Sequence, residues 1–269
     1  MKKNKMDKVV IITGASGGIG YAMARQLHNH GATVYDISKK VVEHEEFKKQ
    51  YECDVNDTEA VKSILDEIYE EEERINVFIN NAGFGIAGAI EDAKSTSIYA
   101  LVNTNLAAVI ALSGVAIRYL KLSGGGNIVN TCSVGGIIPL PYQATYSATK
   151  AGVDVFSRAL ANEVKEFNIH VTAILPGDTK TGFTDARIIE NNAKDDKYRS
   201  SVEKSIKKAE KEERNGASPD LVGKAVYKVL KKKNPPLRKT VGFSYKFIVF
   251  ISRLLGTRFT NWLIRKIYI

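Results

Sequence analysis

The stretch Val9-Val-Ile-Ile-Thr-Gly-Ala-Ser-Gly-Gly-Ile-Gly20 joins a run of apolar residues directly to a group of glycines. The residues from Val9 to Thr13 have the length and composition of a β-strand that is buried on both faces. Gly14, Gly18 and Gly20 allow the chain to turn tightly. They also let a pyrophosphate approach the amides at the start of the next helix, where the helix dipole favours an anion. The order strand, glycine turn, helix predicts a dinucleotide-binding unit.

Alternating strands and helices continue along the chain. Apolar runs predict further strands at 33–37, 51–53, 77–79, 128–132 and 170–175, separated by helical patterns that include 57–72, 98–122 and 146–167. Repeated β-α units of this length predict an α/β fold with a doubly wound, Rossmann-like parallel sheet in a single domain. We assign residues 1–241 to this dinucleotide-binding and catalytic domain and 242–269 to a C-terminal segment.

The stretch Tyr146-Ser-Ala-Thr-Lys150 opens one of these helices. Its four-residue spacing places the phenol and the ammonium one turn apart on the same face. A free phenol has a pKa of about 10 and is a poor acid or base at neutral pH, but a nearby cation favours the phenolate. The pair therefore predicts an acid-base site, provided that other polar groups converge on it.

Together with the motifs around it, this pair resembles the short-chain dehydrogenase/reductase family. The match covers about residues 8–181, and more loosely extends to about 232. Its motifs are Thr13 to Gly20, Asp54-Val55, Asn80-Asn-Ala-Gly83, Asn105, Ser133, Tyr146-x-x-x-Lys150 and Pro176-Gly177. Ser133 lies thirteen residues before Tyr146, which is the usual interval in the family. The resemblance implies an oxidoreductase that transfers a hydride between a nicotinamide cofactor and a carbonyl or alcohol.

The resemblance also implies a role for each motif residue. Tyr146 would donate a proton to the carbonyl, or accept one in the reverse reaction. Lys150 would lower the pKa of that phenol and bind the nicotinamide ribose. Ser133 would hydrogen-bond the substrate oxygen, and Asn105 would hold a water that links Lys150 to solvent. The implied cofactor-binding residues are Gly14, Ser16, Gly18, Ile19, Gly20, Ser38, Lys39, Lys40, Asp54, Val55, Asn81, Ala82, Gly83, Tyr146, Lys150, Pro176, Gly177 and Thr181.

Purely structural roles are the alternative for several of these residues. Ser133 is also a typical turn residue at a strand end, Asn105 is also a polar residue inside a helix, and Asp54 is also a candidate cap for the helix that follows it.

The cofactor is expected to be NADP(H), with NAD less favoured. Asp36 lies near the end of the second predicted strand, where NAD-binding folds place an acid. In the family that acid falls two residues later, where this chain has Ser38. Lys39 and Lys40 follow, at positions where NADP users carry basic residues for the 2′-phosphate. Gly17 departs from this pattern, because many NADP users have a second basic residue there, and a solvated loop is the alternative for the two lysines.

The composition restricts the other classes of partner. The net charge of +9 suits an anionic cofactor, and the basic residues are dispersed without any motif for nucleic-acid binding. Cys53 and Cys132 are the two cysteines, so neither a disulfide framework nor a zinc site is expected. We expect no metal, no secretory signal and no apolar stretch as long as a membrane span, and therefore predict a cytoplasmic protein.

The segment 242–269 carries two amphipathic patterns. One stripe contains Phe247, Phe250, Ile251, Leu254 and Leu255, and after Gly256 a second contains Phe259, Trp262, Leu263 and Ile267. Basic residues flank each stripe, Lys246 and Arg253 beside the first and Arg258 and Arg265 beside the second. Such a pattern is typical of helices that lie in a membrane interface. A cap on the substrate cleft, or a contact between subunits, is the interpretation that we favour, and interfacial binding is the alternative.

Two further functions remain open alongside the oxidoreductase. One is a nucleotide-binding regulator or partner-binding module of the same fold, which usually lacks the tyrosine or the lysine. The other is an epimerase or dehydratase, for which a different glycine spacing and a larger C-terminal domain are typical, and this chain has neither feature.

The residues expected to surround the substrate are mostly apolar, which favours a hydrophobic substrate such as a fatty aldehyde, a steroid or a lipid ketone. They are Phe84, Val134 to Ile138, Tyr142 and the residues after Thr181. A lid with a helix is predicted at 184–216. The outer faces of the helices at 98–122 and 146–167 are expected to pair in a homodimer or homotetramer.

Overall fold

A seven-stranded parallel sheet forms the centre of the fold, as seen in a computed structural model that describes residues 6–190 and 196–269. The strands within the described residues are β1 Val9–Thr13, β2 Thr33–Ser38, β3 Lys49–Glu52, β4 Val77–Asn80, β5 Ile86–Gly88, β6 Gly126–Thr131, β7 Ile169–Leu175, β8 Ile188–Glu190 and β9 Arg238–Thr240. The sheet order is β3-β2-β1-β4-β6-β7-β9, and β5 pairs with β8 in a small second sheet. The order reverses between β1 and β4, which makes that point the topological switch of a doubly wound fold.

Helices cover both faces of this sheet. The α-helices within the described residues are α1 Gly18–His28, α2 Thr58–Glu72, α3 Ser95–Val102, α4 Ala108–Leu122, α5 Ala144–Glu163, α6 Asp196–Arg214, α7 Asp220–Leu230, α8 Phe243–Leu254 and α9 Thr257–Tyr268. Residues of α1 and α7 form one core with alternate residues of β1, and residues of α2, α4 and α5 form the other with the intervening ones. The first strand is therefore buried on both faces, as its unbroken apolar run predicts.

The predicted fold class is confirmed, and each predicted strand lies within two residues of an observed one. Three observed strands had no sequence signal. β9 reads Arg-Lys-Thr and is an edge strand of three residues, so no apolar run marks it. β5 and β8 are also three residues long and pair only with each other. Pairing in these short strands depends on tertiary contacts rather than on local pattern.

The predicted helix at 98–122 is longer than expected and is interrupted by a π-helical turn at Asn103–Ala107. The continuous stretch Ser95–Leu122 has the length and apolar composition of a membrane span, contrary to the expectation that no stretch would. Leu101, Leu112 and Leu120 on this stretch are buried, and the latter two belong to the core against the sheet. Its apolar composition therefore reflects packing in this fold.

Other predicted boundaries differ by a few residues. The helix that contains Tyr146 ends at Glu163, and Lys165–Phe167 is a separate 3₁₀ turn. The predicted lid contains β8 and α6, while its residues 191–195 lie outside the described part of the chain.

Candidate active site

A cavity of about 1620 Å³ opens at the carboxyl ends of the strands. It is bordered by every candidate site residue from the sequence except Asn105, which is fully buried behind it. Phe84, Val134 and Ile138 of the predicted substrate pocket also border the cavity, whereas Tyr142 does not. Tyr142 instead packs edge-on against Tyr198 of α6, at 5.9 Å between ring centroids, so its assignment to the pocket was wrong.

Glycines in the turn after β1 are required by close contacts. Gly14 has φ +69°, and a Cβ atom on it would lie 2.8 Å from the Cα of Ala82. A Cβ on Gly20 would lie 2.3 Å from the carbonyl oxygen of Gly14. The amide of Asn81 donates to that same carbonyl at 2.9 Å, so the predicted ribose ligand also supports the turn. Because α1 has no side-chain cap at its first residue, its N-terminal amides remain available to an anion.

Asp36 supports the glycine turn from below. Its carboxylate accepts hydrogen bonds from the backbone amide of Ala15 at 2.9 Å, from the Ser38 hydroxyl at 2.7 Å and from Gln50 at 3.2 Å. The side chain is fully buried, and this burial raises its pKa. Asp36 does not border the cavity, which agrees with excluding it as the acid that would bind a ribose.

Lys39 and Lys40 border the cavity just beyond the end of β2. The side chain of Lys39 is 80% exposed, and its ammonium lies 3.1 Å from the carboxylate of Asp54. A backbone hydrogen bond from Asn56, followed by this lysine, lowers the pKa of Asp54. The cap of α2 is Asp57, which accepts from the amide of Ala60 at 3.0 Å, so Asp54 does not cap that helix.

Tyr146, Ser133 and Lys150 meet at the centre of the cavity wall. The Ser133 hydroxyl accepts a hydrogen bond from the amide of Gly135 at 3.0 Å and also hydrogen-bonds the phenol of Tyr146. Ser133 therefore has both the turn role and the position of a candidate substrate ligand. The ammonium of Lys150 donates to the carbonyl of Thr131 at 2.9 Å and lies 5.8 Å from the centroid of the Tyr146 ring.

Burial determines the ionisation of this group. Desolvation raises the pKa of Tyr146 to about 12, although its hydrogen bond with Ser133 acts in the opposite direction. Desolvation also lowers the pKa of the buried Lys150. The pKa of Tyr146 is raised, whereas the lysine spacing predicted that it would be lowered. The reason is that the cost of burying a phenolate outweighs the favourable contacts. The phenol is protonated at neutral pH, which is the form that can donate a proton.

The amide of Asn105 is committed to the loop after β4. It donates to the carbonyl of Phe84 at 2.9 Å and accepts from the amide of Phe84 at 3.1 Å. A Cβ on Gly83 would lie 2.9 Å from the Asn105 amide oxygen and 3.6 Å from the Lys150 ammonium. Asn105 lies in the π-helical turn, which removes backbone carbonyls from the usual α-helical hydrogen bonding. The backbone of Asn105, rather than its side chain, would therefore bind the water. This role stays a prediction.

A buried polar network beneath the cavity was not expected from the sequence. The amide of Asn80 donates to Asn130 at 2.8 Å and to the Ser113 hydroxyl at 3.0 Å, and Asn130 donates to the Ser157 hydroxyl at 2.9 Å. This network connects β4 and β6 to α4 and α5. The sequence feature that could have revealed this network is the asparagine that ends each of two strand motifs, Val-Phe-Ile-Asn and Asn-Ile-Val-Asn.

Acidic residues that the sequence did not single out also border the cavity. They are Asp178, Glu212 and Glu213. The carboxylates of Asp178 and Glu212 accept hydrogen bonds from Tyr245 of α8 and Tyr268 of α9, respectively, the second at 2.7 Å. Glu213 forms an ion pair with the buried Arg187. These contacts hold α6, α8 and α9 around the cavity, and no periodic pattern in the sequence could reveal them.

Comparison with known proteins agrees with this geometry. The family described as short chain dehydrogenase matches residues 8–192. The chain is 40% identical over 236 residues to a 3-ketodihydrosphingosine reductase of Bacteroides thetaiotaomicron, covering 87% of this chain and 88% of that protein. It is 35% identical over 188 residues to a 3-oxoacyl-[acyl-carrier-protein] reductase of Thermotoga maritima, covering 66% and 76%.

Solved structures show the same fold. A short-chain dehydrogenase from Streptomyces avermitilis superimposes with a TM-score of 0.81 at 24% identity, covering 95% of this chain and 96% of that one. The family match covers most of the chain, and all but one of the candidate residues surround a single cavity at the switch point of the sheet. The chain belongs to the short-chain dehydrogenase/reductase family of oxidoreductases, which act on alcohol and carbonyl groups with a nicotinamide cofactor.

Proposed function

We propose that the protein reduces the ketone of a long-chain lipid base, with NADPH as the hydride donor. The observation that carries this proposal is the apolar extension of the cavity beyond Tyr146. Helices α8 and α9 border it with Phe247, Ile251, Leu255, Leu263 and Ile267. Such a wall suits an alkyl chain better than a small polar substrate. The relative named 3-ketodihydrosphingosine reductase supports a substrate of this class.

The acids at the cavity are consistent with a basic substrate. Asp178 and Glu212 border the same space as the apolar wall, whereas the charge of Glu213 is balanced by Arg187. A long-chain base carries an amino group that is protonated at neutral pH, and a carboxylate is its natural partner. An acyl thioester lacks this group and would gain nothing from these acids, so the lipid base is the preferred substrate class over a 3-oxoacyl chain.

The proposed chemistry assigns one role to each central residue. Bound NADPH supplies the hydride. Tyr146 donates its phenolic proton to the developing alkoxide. Ser133 orients the carbonyl oxygen through its hydroxyl, while the ammonium of Lys150, 5.8 Å from the centroid of the Tyr146 ring, stabilises the phenolate that remains.

NADPH is favoured over NADH by the residues after β2. Lys39 and Lys40 border the cavity where a 2′-phosphate would lie, and the acid nearby, Asp36, is committed to Ala15 and Ser38. The glycine turn fits the pyrophosphate, because Gly14 and Gly20 leave no room for side chains.

A series of matched ketones tests the proposal through NADPH absorbance. The substrates are a long-chain 3-keto base, its short-chain homologue, the same long chain without the amino group, and a 3-oxoacyl thioester. We expect the highest kcat/KM for the long-chain base. We expect a lower kcat/KM when the chain is shortened, when the amino group is removed, and when the ketone is part of a thioester. Equal kcat/KM for the short-chain and long-chain ketones would contradict the apolar-wall argument, and preference for the thioester would identify the acyl reductase instead.

We further propose a cytoplasmic homodimer or homotetramer. Val155 of α5 is 57% exposed and Ile110 of α4 is 42% exposed, on the outer faces of the two helices that the sequence assigned to subunit pairing. The free thiols of Cys53 and Cys132 suit a reducing compartment.

A further inference from the structure

Helices α8 and α9 each present an exposed apolar stripe. We name these together the C-terminal apolar face: Phe243, Phe247, Phe250 and Leu254 on α8, and Phe259, Trp262, Leu263 and Ile267 on α9. Phe243 is 89% exposed, Leu254 68% and Trp262 53%. The spacing of the α8 residues places all four on one side of that helix. Exposed apolar surface of this extent marks an interaction site in a folded protein.

The inner sides of the same helices are fixed to the rest of the fold. Val249 of α8 is buried in a cluster with Val109 and Leu175, and Tyr245 hydrogen-bonds Asp178. On α9, Tyr268 hydrogen-bonds Glu212 at 2.7 Å. The outward stripes are therefore held in place by the fold.

Charge identifies the kind of partner. Residues 242–269 contain five basic residues and no acidic one: Lys246, Arg253, Arg258, Arg265 and Lys266. All five are exposed, and none forms an ion pair with a residue in the described part of the chain. Aromatic and aliphatic side chains flanked by unpaired cations match the two layers of an anionic membrane interface, with acyl chains below and phosphate groups above.

The cavity connects this face to the candidate active site. Phe247 and Ile248 on α8, and Leu263 and Ile267 on α9, are exposed to solvent and also border the cavity that holds Tyr146. We infer that these residues form the rim of an opening between the two helices, because each is both exposed and in contact with the cavity. An alkyl chain leaving a bilayer would meet apolar surface from this rim to the phenol.

We propose that α8 and α9 dock in the interface of an anionic lipid bilayer, and that the gap between them is the entrance through which a lipid substrate reaches Tyr146. The docking rests on the exposed face and its charges alone. The entrance also rests on the proposed reduction of a lipid ketone.

The tryptophan provides a direct readout of docking. Trp262 is the only tryptophan in the chain and lies on the C-terminal apolar face. Full-length protein is titrated, without cofactor or substrate, with vesicles of phosphatidylcholine and with vesicles of phosphatidylcholine and phosphatidylglycerol in equal parts. We expect a blue shift of the emission and protection from acrylamide with the anionic vesicles, weakened by salt. Unchanged emission with anionic vesicles at low salt would overturn the proposal.

Matched substitutions locate the docking surface. Phe250→Ser with Leu254→Ser removes two exposed residues that do not border the cavity, and should reduce vesicle binding by about tenfold or more. Phe167→Ser with Leu122→Ser removes the same side chains from exposed positions elsewhere, and should leave binding within about twofold. Equal losses in the two pairs would overturn the assignment. NADPH affinity is measured for all variants to confirm that they fold.

Charge reversal tests the basic flank in the same way. Arg258→Glu with Arg265→Glu should lower binding to anionic vesicles by about tenfold or more. Arg118→Glu with Lys165→Glu changes the net charge equally at exposed positions outside 242–269, and should have a much smaller effect. No difference between the two pairs would overturn the role of the flank.

The remaining outcomes separate this proposal from its competitors. If the Phe250/Leu254 variant loses self-association by light scattering without vesicles, a second copy covers the face and the bilayer proposal is wrong. If the protein fails to bind vesicles but reduces long-chain ketones in detergent, only the docking fails. If it binds vesicles but reduces none of the ketones, the docking stands and the proposed function and its entrance fail.

Discussion

At the scale of single residues, Tyr146 illustrates how burial sets chemistry. Burial raises the pKa of its phenol to about 12, because a phenolate in this wall would lose its hydration, and Ser133 offsets only part of that cost. A protonated phenol can act as a general acid, which supports the proton-donor role that we propose for Tyr146.

Removing the phenolic hydroxyl tests this role. Tyr146→Phe keeps the ring and should lower turnover on the order of 100-fold or more, while NADPH affinity changes little. Tyr142→Phe is the matched control, because Tyr142 packs against Tyr198 away from the cavity and should retain nearly full turnover. The measurement is steady-state NADPH oxidation together with cofactor titration. Near wild-type turnover in Tyr146→Phe would show that another group supplies the proton.

Cofactor choice is also decided by individual side chains. Lys39→Ala with Lys40→Ala should weaken NADPH more than NADH, by roughly 1.5–3 kcal/mol, because a charge-assisted contact to the 2′-phosphate is lost. Lys232→Ala with Lys233→Ala removes the same charge from exposed positions away from the cavity, and should affect neither cofactor. The affinities are measured by fluorescence titration. An equal loss for both cofactors in the first pair would argue against a phosphate contact and would reopen Asp36 as a ribose ligand.

At the scale of elements, the edge strand β9 is held by an ion pair rather than by an apolar pattern. Arg238 in this strand donates two hydrogen bonds to the carboxylate of Asp154 on α5, one of them at 2.5 Å. Asp154 is buried, so its charge requires a partner. The pair compensates for the polar sequence of the strand and fixes it beside β7.

Breaking this pair should destabilise the fold. Among the described residues, Arg238→Met leaves the buried carboxylate with only the more distant Arg158, at 3.4 Å, and it should lower the free energy of unfolding by about 3 kcal/mol. Arg74→Met breaks the exposed pair with Asp7 and should cost less than about 1 kcal/mol. Urea unfolding followed by circular dichroism measures both. Equal small effects would show that β9 depends on its backbone hydrogen bonds alone.

At the scale of the whole molecule, Ile110 on α4 and Val155 on α5 remain exposed after the fold is complete. Family members often oligomerise, and we expect this chain to form a homodimer or homotetramer through Ile110, Val155 and their neighbours. Light scattering of the full-length protein at micromolar concentration should report more than one copy. Val155→Arg should shift the equilibrium toward the monomer, whereas Leu237→Arg, at an exposed position outside α4 and α5, should not. A monomeric wild-type protein would contradict the expectation.

The sequence by itself determined the order of six strands of the central sheet and of the main helices between them, because buried parallel strands appear as unbroken apolar runs and amphipathic helices as a periodic pattern. It also determined the family, through motifs such as the glycine turn and Tyr146-x-x-x-Lys150. These signals are local. Gly14 cannot be replaced by a larger residue without a steric clash, because its backbone lies close to Ala82. The resulting candidates converge on one cavity, apart from Asn105 behind it.

Only the tertiary structure decided the features that depend on distant segments. Residues far apart in the chain meet in three of these features. They are the hydrogen bond from Ala15 to Asp36, the bond from Arg238 of β9 to Asp154, and the polar cavity wall formed by Asp178 and Glu212. The raised pKa of Tyr146 is of the same kind, because the desolvation that causes it comes from the packed surroundings rather than from Lys150 one turn away. A local pattern specifies spacing along an element, whereas burial and long-range pairing exist only after the elements have packed.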